Sequence, residues 1–136
     1  MQHDTKIGVI IKNDLETWQK LNITAFLSSG VAAANPKSIG RDYVDGSDNE
    51  YLPIFNQPVF VYEASAEHLQ RTRARLNSRE VKAALYAEDM FFTNNDKDNR
   101  ATIVSIKSED MNIVGLAFRA PSKIFDKIVS GLKLHS

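Results

Sequence analysis

Residues 7–11, Ile-Gly-Val-Ile-Ile, constrain the fold more than any other stretch of the chain. Four of the five are β-branched and none is polar, so residues 5–12 read as a strand that is apolar on both faces. Such a strand needs cover on both sides, as in a sheet flanked by helices. Just beyond it, Asn13 has the chemistry of a helix N-cap, with Glu16 three positions on as its capping-box partner and Asp14 placed to share the cap. The helix predicted from there runs to about Ala34, where Asn35-Pro36 stops it.

That helix is unusual. Leu15, Trp18, Leu21 and Ala25 mark one apolar stripe, while Phe26, Leu27, Val31, Ala33 and Ala34 fill other directions. A helix apolar on most sides is expected in a core or a subunit interface. Its polar stripe is Glu16, Lys20 and Thr24, at four-residue spacing.

Downstream, Gly40, "VDGSDNE" and Pro53 supply turn chemistry, and a short hairpin is predicted pairing 41–45 with 50–54. Residues 58–64, "PVFVYEA", read as a strand. Residues 65–78 read as a helix capped by Ser65. Residues 81–88 and 111–120 read as two more strands. Between them, 89–110 is loop-rich, and "ATIVSIK" fits helix or strand. Pro121 suits the first position of a last helix, whose buried stripe is Ile124, Ile128 and Leu132 with Phe125 and Val129; Gly131 is its candidate C-cap. The order implies one domain over 1–136: a three-layer α/β/α fold with a mixed sheet of about four main strands and a small hairpin around 41–54.

At 136 residues, such a chain buries roughly 70% of the surface its unfolded form exposes, so it needs no disulfide or metal to fold. It has no cysteine, which removes thiol catalysis and cysteine-based zinc sites together. Its 17 basic residues balance 17 acidic ones. A neutral domain is a poor generic partner for nucleic acid, whose non-specific affinity comes from basic surface. The polar start "MQHDTK" has no signal-peptide core, and no apolar run reaches the ~20 residues of a membrane span, so a cytoplasmic protein is expected.

Standard catalytic signatures are absent: no G-x-S-x-G, phosphate-cradling glycine loop or H-E-x-x-H. His3, His68 and His135 are too dispersed to suggest a metal cluster. "NNDKDN", 94–99, lacks the glycine and glutamate of a calcium loop and reads as a surface turn. Asn22-Ile23-Thr24 matches a glycosylation sequon but falls inside a predicted helix. Arg71, Arg75 and Arg79, with Arg73 beside them, read as a solvated helix face supported by a Glu67–Arg71 pair, or else as a small phosphate- or RNA-contacting stripe. Lys20 likewise has two readings. Four residues after Glu16 it suits a helical ion pair. Near the start of a helix that leaves the C-terminal edge of a strand, it also stands where open α/β sheets place ligands.

"KIGVIIKNDLETWQKLN" and the closing "NIVGLAFRAPSKIFDKIVSGLKL" resemble the type II peptidyl-tRNA hydrolase-like superfamily over about residues 5–134. "DLETWQKLN…AFLSSG" looks closer still to an uncharacterised bacterial branch of it. The resemblance implies the α/β/α fold, often dimeric, and a site made of a helix lysine and an Asp-x-x-x-Thr. Those positions match Lys20, Asp89 and Thr93, with Asp14, Trp18 and Phe91 as substrate-contacting neighbours. The lysine ammonium would stabilise an oxyanion while the carboxylate orients water. The superfamily's glycine-lysine-x-alanine signature is missing: Gln19 precedes Lys20. Met90-Phe91-Phe92 replaces the glycine-arginine expected between Asp89 and Thr93.

The function expected from the resemblance is hydrolysis of a small ester- or amide-linked substrate, an aminoacyl type included, without cofactor or metal. Transfer RNA is not an expected partner. The alternative is a non-catalytic, homodimeric binding module that keeps the fold without the chemistry.

Overall fold

A computed structural model describes residues 4–136. Strand β1 (Thr5–Lys12) sits at the centre of a five-stranded mixed sheet of order β5-β6-β1-β4-β7. It pairs in parallel with β4 (Val59–Ala64) and antiparallel with β6 (Ile113–Pro121). One sheet edge is β5 (Ala84–Ala87), antiparallel to β6; the other is the two-residue β7 (Lys133–Leu134), antiparallel to β4. The apolar run of β1 is covered on both sides, as its sequence requires. Ile7, Val9 and Ile11 face helix α1 (Thr17–Ala34), whereas Ile10 faces α2 (Ala66–Ser78) and α4 (Ser122–Ile128). The result is an α/β/α arrangement.

Glycine matters at two points of this sheet; a Cβ on Gly115 of β6 would lie 2.8 Å from Leu27 Cδ1 on α1. A Cβ on Gly8 would lie 2.7 and 2.8 Å from the Phe125 ring. The ring therefore seats on bare backbone at the middle of β1. Gly131 takes φ +87°, the left-handed region that glycine tolerates, in the turn between α4 and β7.

Several boundaries differ from those predicted. Helix α1 starts three residues later than the Asn13 cap implies: Glu16 is its N-cap, and the Glu16 N–H donates to Gln19 Oε1 at 3.0 Å. The predicted stripe Leu15, Trp18, Leu21, Ala25 is not the buried one. Ile23, Leu27 and Val31 are buried, and Trp18, Leu21 and Phe26 stand out in solvent. Ser65 caps α2 as expected, its hydroxyl accepting from His68 N–H at 3.2 Å. Pro121 closes β6 and precedes α4 instead of opening it, and Leu132, expected on the buried stripe of the last helix, lies beyond α4 just before β7.

The region 89–110 contains a helix, α3 (Asp96–Val104), with 3-10 turns at Glu88–Phe92 and Ser108–Asp110. Residues 94–99 are thus the start of that helix, where Asn95 Oδ1 accepts from Asp98 N–H at 2.8 Å. The Glu67–Arg71 ion pair is not formed. Arg75 instead donates to the Ile128 and Ser130 carbonyls, at 3.2 and 2.7 Å, and ties α2 to the end of α4. No helix among the described residues is long and apolar enough to cross a membrane.

The hairpin forms, with β2 (Tyr43–Val44) paired to β3 (Glu50–Tyr51), and it projects as an arm. So short a hairpin is marginal by itself. Asp45 holds its turn, accepting from Ser47 N–H (2.8 Å), Asn49 N–H (3.0 Å) and the Tyr51 hydroxyl (2.7 Å). The Tyr51 bond, followed by the two backbone bonds, lowers the Asp45 carboxyl from 3.8 to about 2. The same bond raises the Tyr51 phenol above 10.0. A depressed carboxylate contributes its stabilisation fully above the ordinary value and loses it as pH falls through the folded one. A raised phenol keeps its contribution below the ordinary value and loses it only above. The arm is therefore expected to stay closed between 3.8 and 10.0. The Ser47 and Asn49 amide resonances should titrate together with a midpoint near 2. A common midpoint at 3.8 or above would show that Asp45 does not hold the turn.

Candidate functional site

Two rows carrying large apolar side chains run along α1. Ile23, Leu27 and Val31, at four-residue spacing, bury against the sheet. Trp18, Asn22 and Phe26 form a second row at the same spacing, turned away from the core, because a helix advances about 100° per residue. Trp18 is 62% and Phe26 58% exposed. The second row faces β5 and the turn after it. Phe26 approaches Tyr86 with ring centroids 6.1 Å apart, Tyr86 approaches Phe91 at 5.2 Å, and Phe91 meets Trp18 edge-on at 6.4 Å.

These four rings line an open hollow of about 580 Å³ between α1, β5 and the start of α3. Its other side is amide-rich: Asn22 lines it from α1, and Asn94, Asn95 and Asn99 from the α3 end. Thr93 is fixed there, its hydroxyl donating to the Met90 carbonyl at 3.0 Å and bonding the Asn99 side-chain amide. The one charged side chain on this lining is Asp96, which is paired with Arg100. Burial raises the Tyr86 phenol, so its O–H stays protonated at neutral pH. That hydroxyl has no partner among the described residues.

Of the residues singled out by sequence, Trp18, Phe91 and Thr93 come together on this hollow. Lys20, Asp89 and Asp14 are not part of its lining. Lys20 lies two residues, or about 200°, around α1 from Trp18. It makes no Glu16 ion pair; its Nζ donates to His135 Nε2 at 3.1 Å. The other ring nitrogen of His135, Nδ1, lies 3.0 Å from the Ser136 backbone oxygen. His135 continues the β7 edge, its N–H bonded to the Val61 carbonyl at 2.8 Å. Asp89 belongs to the turn after β5, at the opposite edge. Four strand spacings of about 4.8 Å separate those edges, roughly 19 Å. Asp89 is exposed and carries no hydrogen bond or ion pair among the described residues. Asp14 pairs with Lys12 at 3.6 Å in the turn before α1. Phe92 is 88% exposed and does not plug the hollow.

Sequence reading missed Phe26, Tyr86, Asn22 and Asn99. The available signal was the pair of parallel apolar rows on α1, since a helix needs only one row to reach its core.

A family model described as "Protein of unknown function (DUF2000)" matches residues 5–136. The chain belongs to the DUF2000 family. A solved structure of another protein of unknown function, Atu0240 from Agrobacterium tumefaciens strain C58, superposes with a TM-score of 0.97 at 43% identity. The match covers 99% of this chain and 100% of that one. No curated protein matches.

Proposed function

We propose that the protein binds a small molecule in the hollow between α1 and β5, with the four aromatic rings as its floor and the asparagine amides as its rim. The observation that carries this reading is the exposure of Trp18 and Phe26 on a helix whose core row is already complete. Leaving an aromatic side chain in water forgoes about 1.5–3 kcal/mol relative to burying it. The fold recovers only part of that, through Phe91 and Tyr86, whereas a flat ligand stacked on the rings would cover the rest. Amide groups donate and accept, so they select by shape and hydrogen bonding more than by charge.

The chain's single tryptophan lies on the hollow and reports its occupancy. The neutral fluorophore N-phenyl-1-naphthylamine is expected to bind saturably, with energy transfer from Trp18. Phe26→Ala removes an exposed ring without opening the core, and should weaken binding by about tenfold, as expected for an aromatic contact of 1–1.5 kcal/mol. Unchanged affinity in Phe26→Ala would place the probe elsewhere.

A second reading keeps the likeness to the type II peptidyl-tRNA hydrolase-like superfamily and assigns ester or amide hydrolysis to Lys20, Asp89 and Thr93. It is supported by Thr93 on the lining and by the unpaired Asp89 carboxylate in the preceding turn. It requires Lys20 to leave His135 and the Asp89 turn to come toward it, since the two now lie at opposite sheet edges roughly 19 Å apart. Turnover of an N-blocked aminoacyl ester should then fall sharply in Lys20→Ala; equal turnover in both proteins would remove Lys20 from the chemistry.

A further inference from the structure

The hollow does not stop at Phe26. Gly30 and Ala84 also line a second hollow of about 450 Å³, between the last turns of α1 and the strands β5 and β6. At this waist α1 comes so close to β5 that a Cβ on Gly30 would lie 3.1 Å from the Ala84 methyl. From Phe26 to Asn35 the helix rises roughly 13 Å, so the stretch from Phe26 across the waist to Asn35 is about as long as a two- or three-ring molecule. The walls of the second are mostly small, Ala33, Ala34 and Ala83 among them, and leave room for an apolar body.

Its charge is of one sign. Arg119 and Lys82 line it, and no carboxylate does. Arg119 comes up from β6 on the α1 side, since residues alternate along the strand and Phe118 and Ala120 pack on the other face. Its guanidinium donates to two neutral amide oxygens, Gln57 Oε1 at 3.3 Å and Asn35 Oδ1 at 3.4 Å. Neither Arg119 nor Lys82 forms an ion pair among the described residues. Arg119 is half-buried, and most of its five N–H donors remain unspent. The α1 C-terminus nearby opposes an anion through its dipole, but its last-turn carbonyls at Val31 and Ala32 already accept from Asn35.

We infer that the two hollows meet in one trough for a monoanionic flat apolar acid, its ring body against Phe26 at the waist and its carboxylate or sulfonate on Arg119. This rests on the aromatic hollow being the ligand site. The shared chemistry is an acid oxygen pair facing a guanidinium, a charge-assisted arrangement that neutral ligands cannot reproduce.

The test uses two probes with the same rings. 8-Anilinonaphthalene-1-sulfonate carries the acid, and N-phenyl-1-naphthylamine lacks it. Energy transfer from Trp18 is followed for both. The sulfonate is expected to bind about tenfold tighter at low salt, and its advantage should shrink as salt screens the pair. Arg119→Gln should abolish the advantage and leave the neutral probe unchanged. Arg119→Lys should retain most of it, and the exposed Lys82→Gln should cost part of it without touching the fold. Equal affinities in the wild type, or an Arg119→Gln loss shared by both probes, would overturn the acid inference while leaving the aromatic hollow as a ligand site. Absence of energy transfer with either probe would remove both.

Discussion

Phe125→Ala is expected to destabilise the protein by about 3–5 kcal/mol, the range for deleting a buried aromatic ring. Phe125 is fully buried between α4 and the sheet. Its ring centroid lies 5.0 Å from Phe118, 6.2 Å from Phe60 and 6.3 Å from Tyr62, so removal opens a cavity bordered by three strands. The strands contacted include β6 and β4, the two neighbours of β1, which limits how far the site can collapse. Urea denaturation followed by far-ultraviolet circular dichroism reads the change directly. A loss below ~1 kcal/mol would mean that α4 is not docked on the sheet as described, because even modest cavities cost more than that.

Gly8→Val is expected to cost about 3 kcal/mol, the upper end for overpacking a finished core. The new Cβ would fall 2.7 Å from the Phe125 ring, and its methyls have nowhere else to go at the centre of a sheet paired on both sides. The two substitutions should not add. In a Phe125→Ala background the valine fills part of the vacated space, so the double variant is expected to be more stable than the sum of single losses by about 1–3 kcal/mol, the coupling seen between touching residues. Strict additivity would show that Gly8 and Phe125 do not meet.

Legibility followed the range of the interactions. The strand β1 could be read because five consecutive apolar residues, including four β-branched ones, leave few alternatives. Ser65 could be read because an N-cap is a local hydrogen bond, three residues long. Helix α3 could not: it begins with charged and polar residues, ends in a β-branched run and buries no side chain, so its pattern carries no stripe. It is marked only by its Asn95 cap and the Asp96–Arg100 pair. The buried face of α1 was misjudged because two apolar rows compete on one helix, and only the sheet decides which goes in.

The site divides in the same way. Trp18, Phe91 and Thr93 were visible in the sequence and meet on the hollow. Phe26 and Tyr86 were invisible as a pair because they lie 60 positions apart along the chain and meet only through the packing of α1 on β5. Lys20 found its partner in His135, 115 residues away, and no local pattern announces such a contact. A lysine near the start of the first helix therefore lies on another side of α1 from the aromatic hollow.

The proposed ligand site is the aromatic hollow lined by Trp18, Phe26, Tyr86 and Phe91. Two-dimensional 1H–15N spectra of the labelled protein, titrated with N-phenyl-1-naphthylamine, test this most directly. The expected result is saturable movement of the Trp18 indole N–H and the Asn22, Asn94 and Asn99 side-chain amides, with the arm amides of Ser47 and Asn49 unmoved. Shifts confined to the arm or to the Lys20–His135 edge, with the indole N–H stationary, would contradict it.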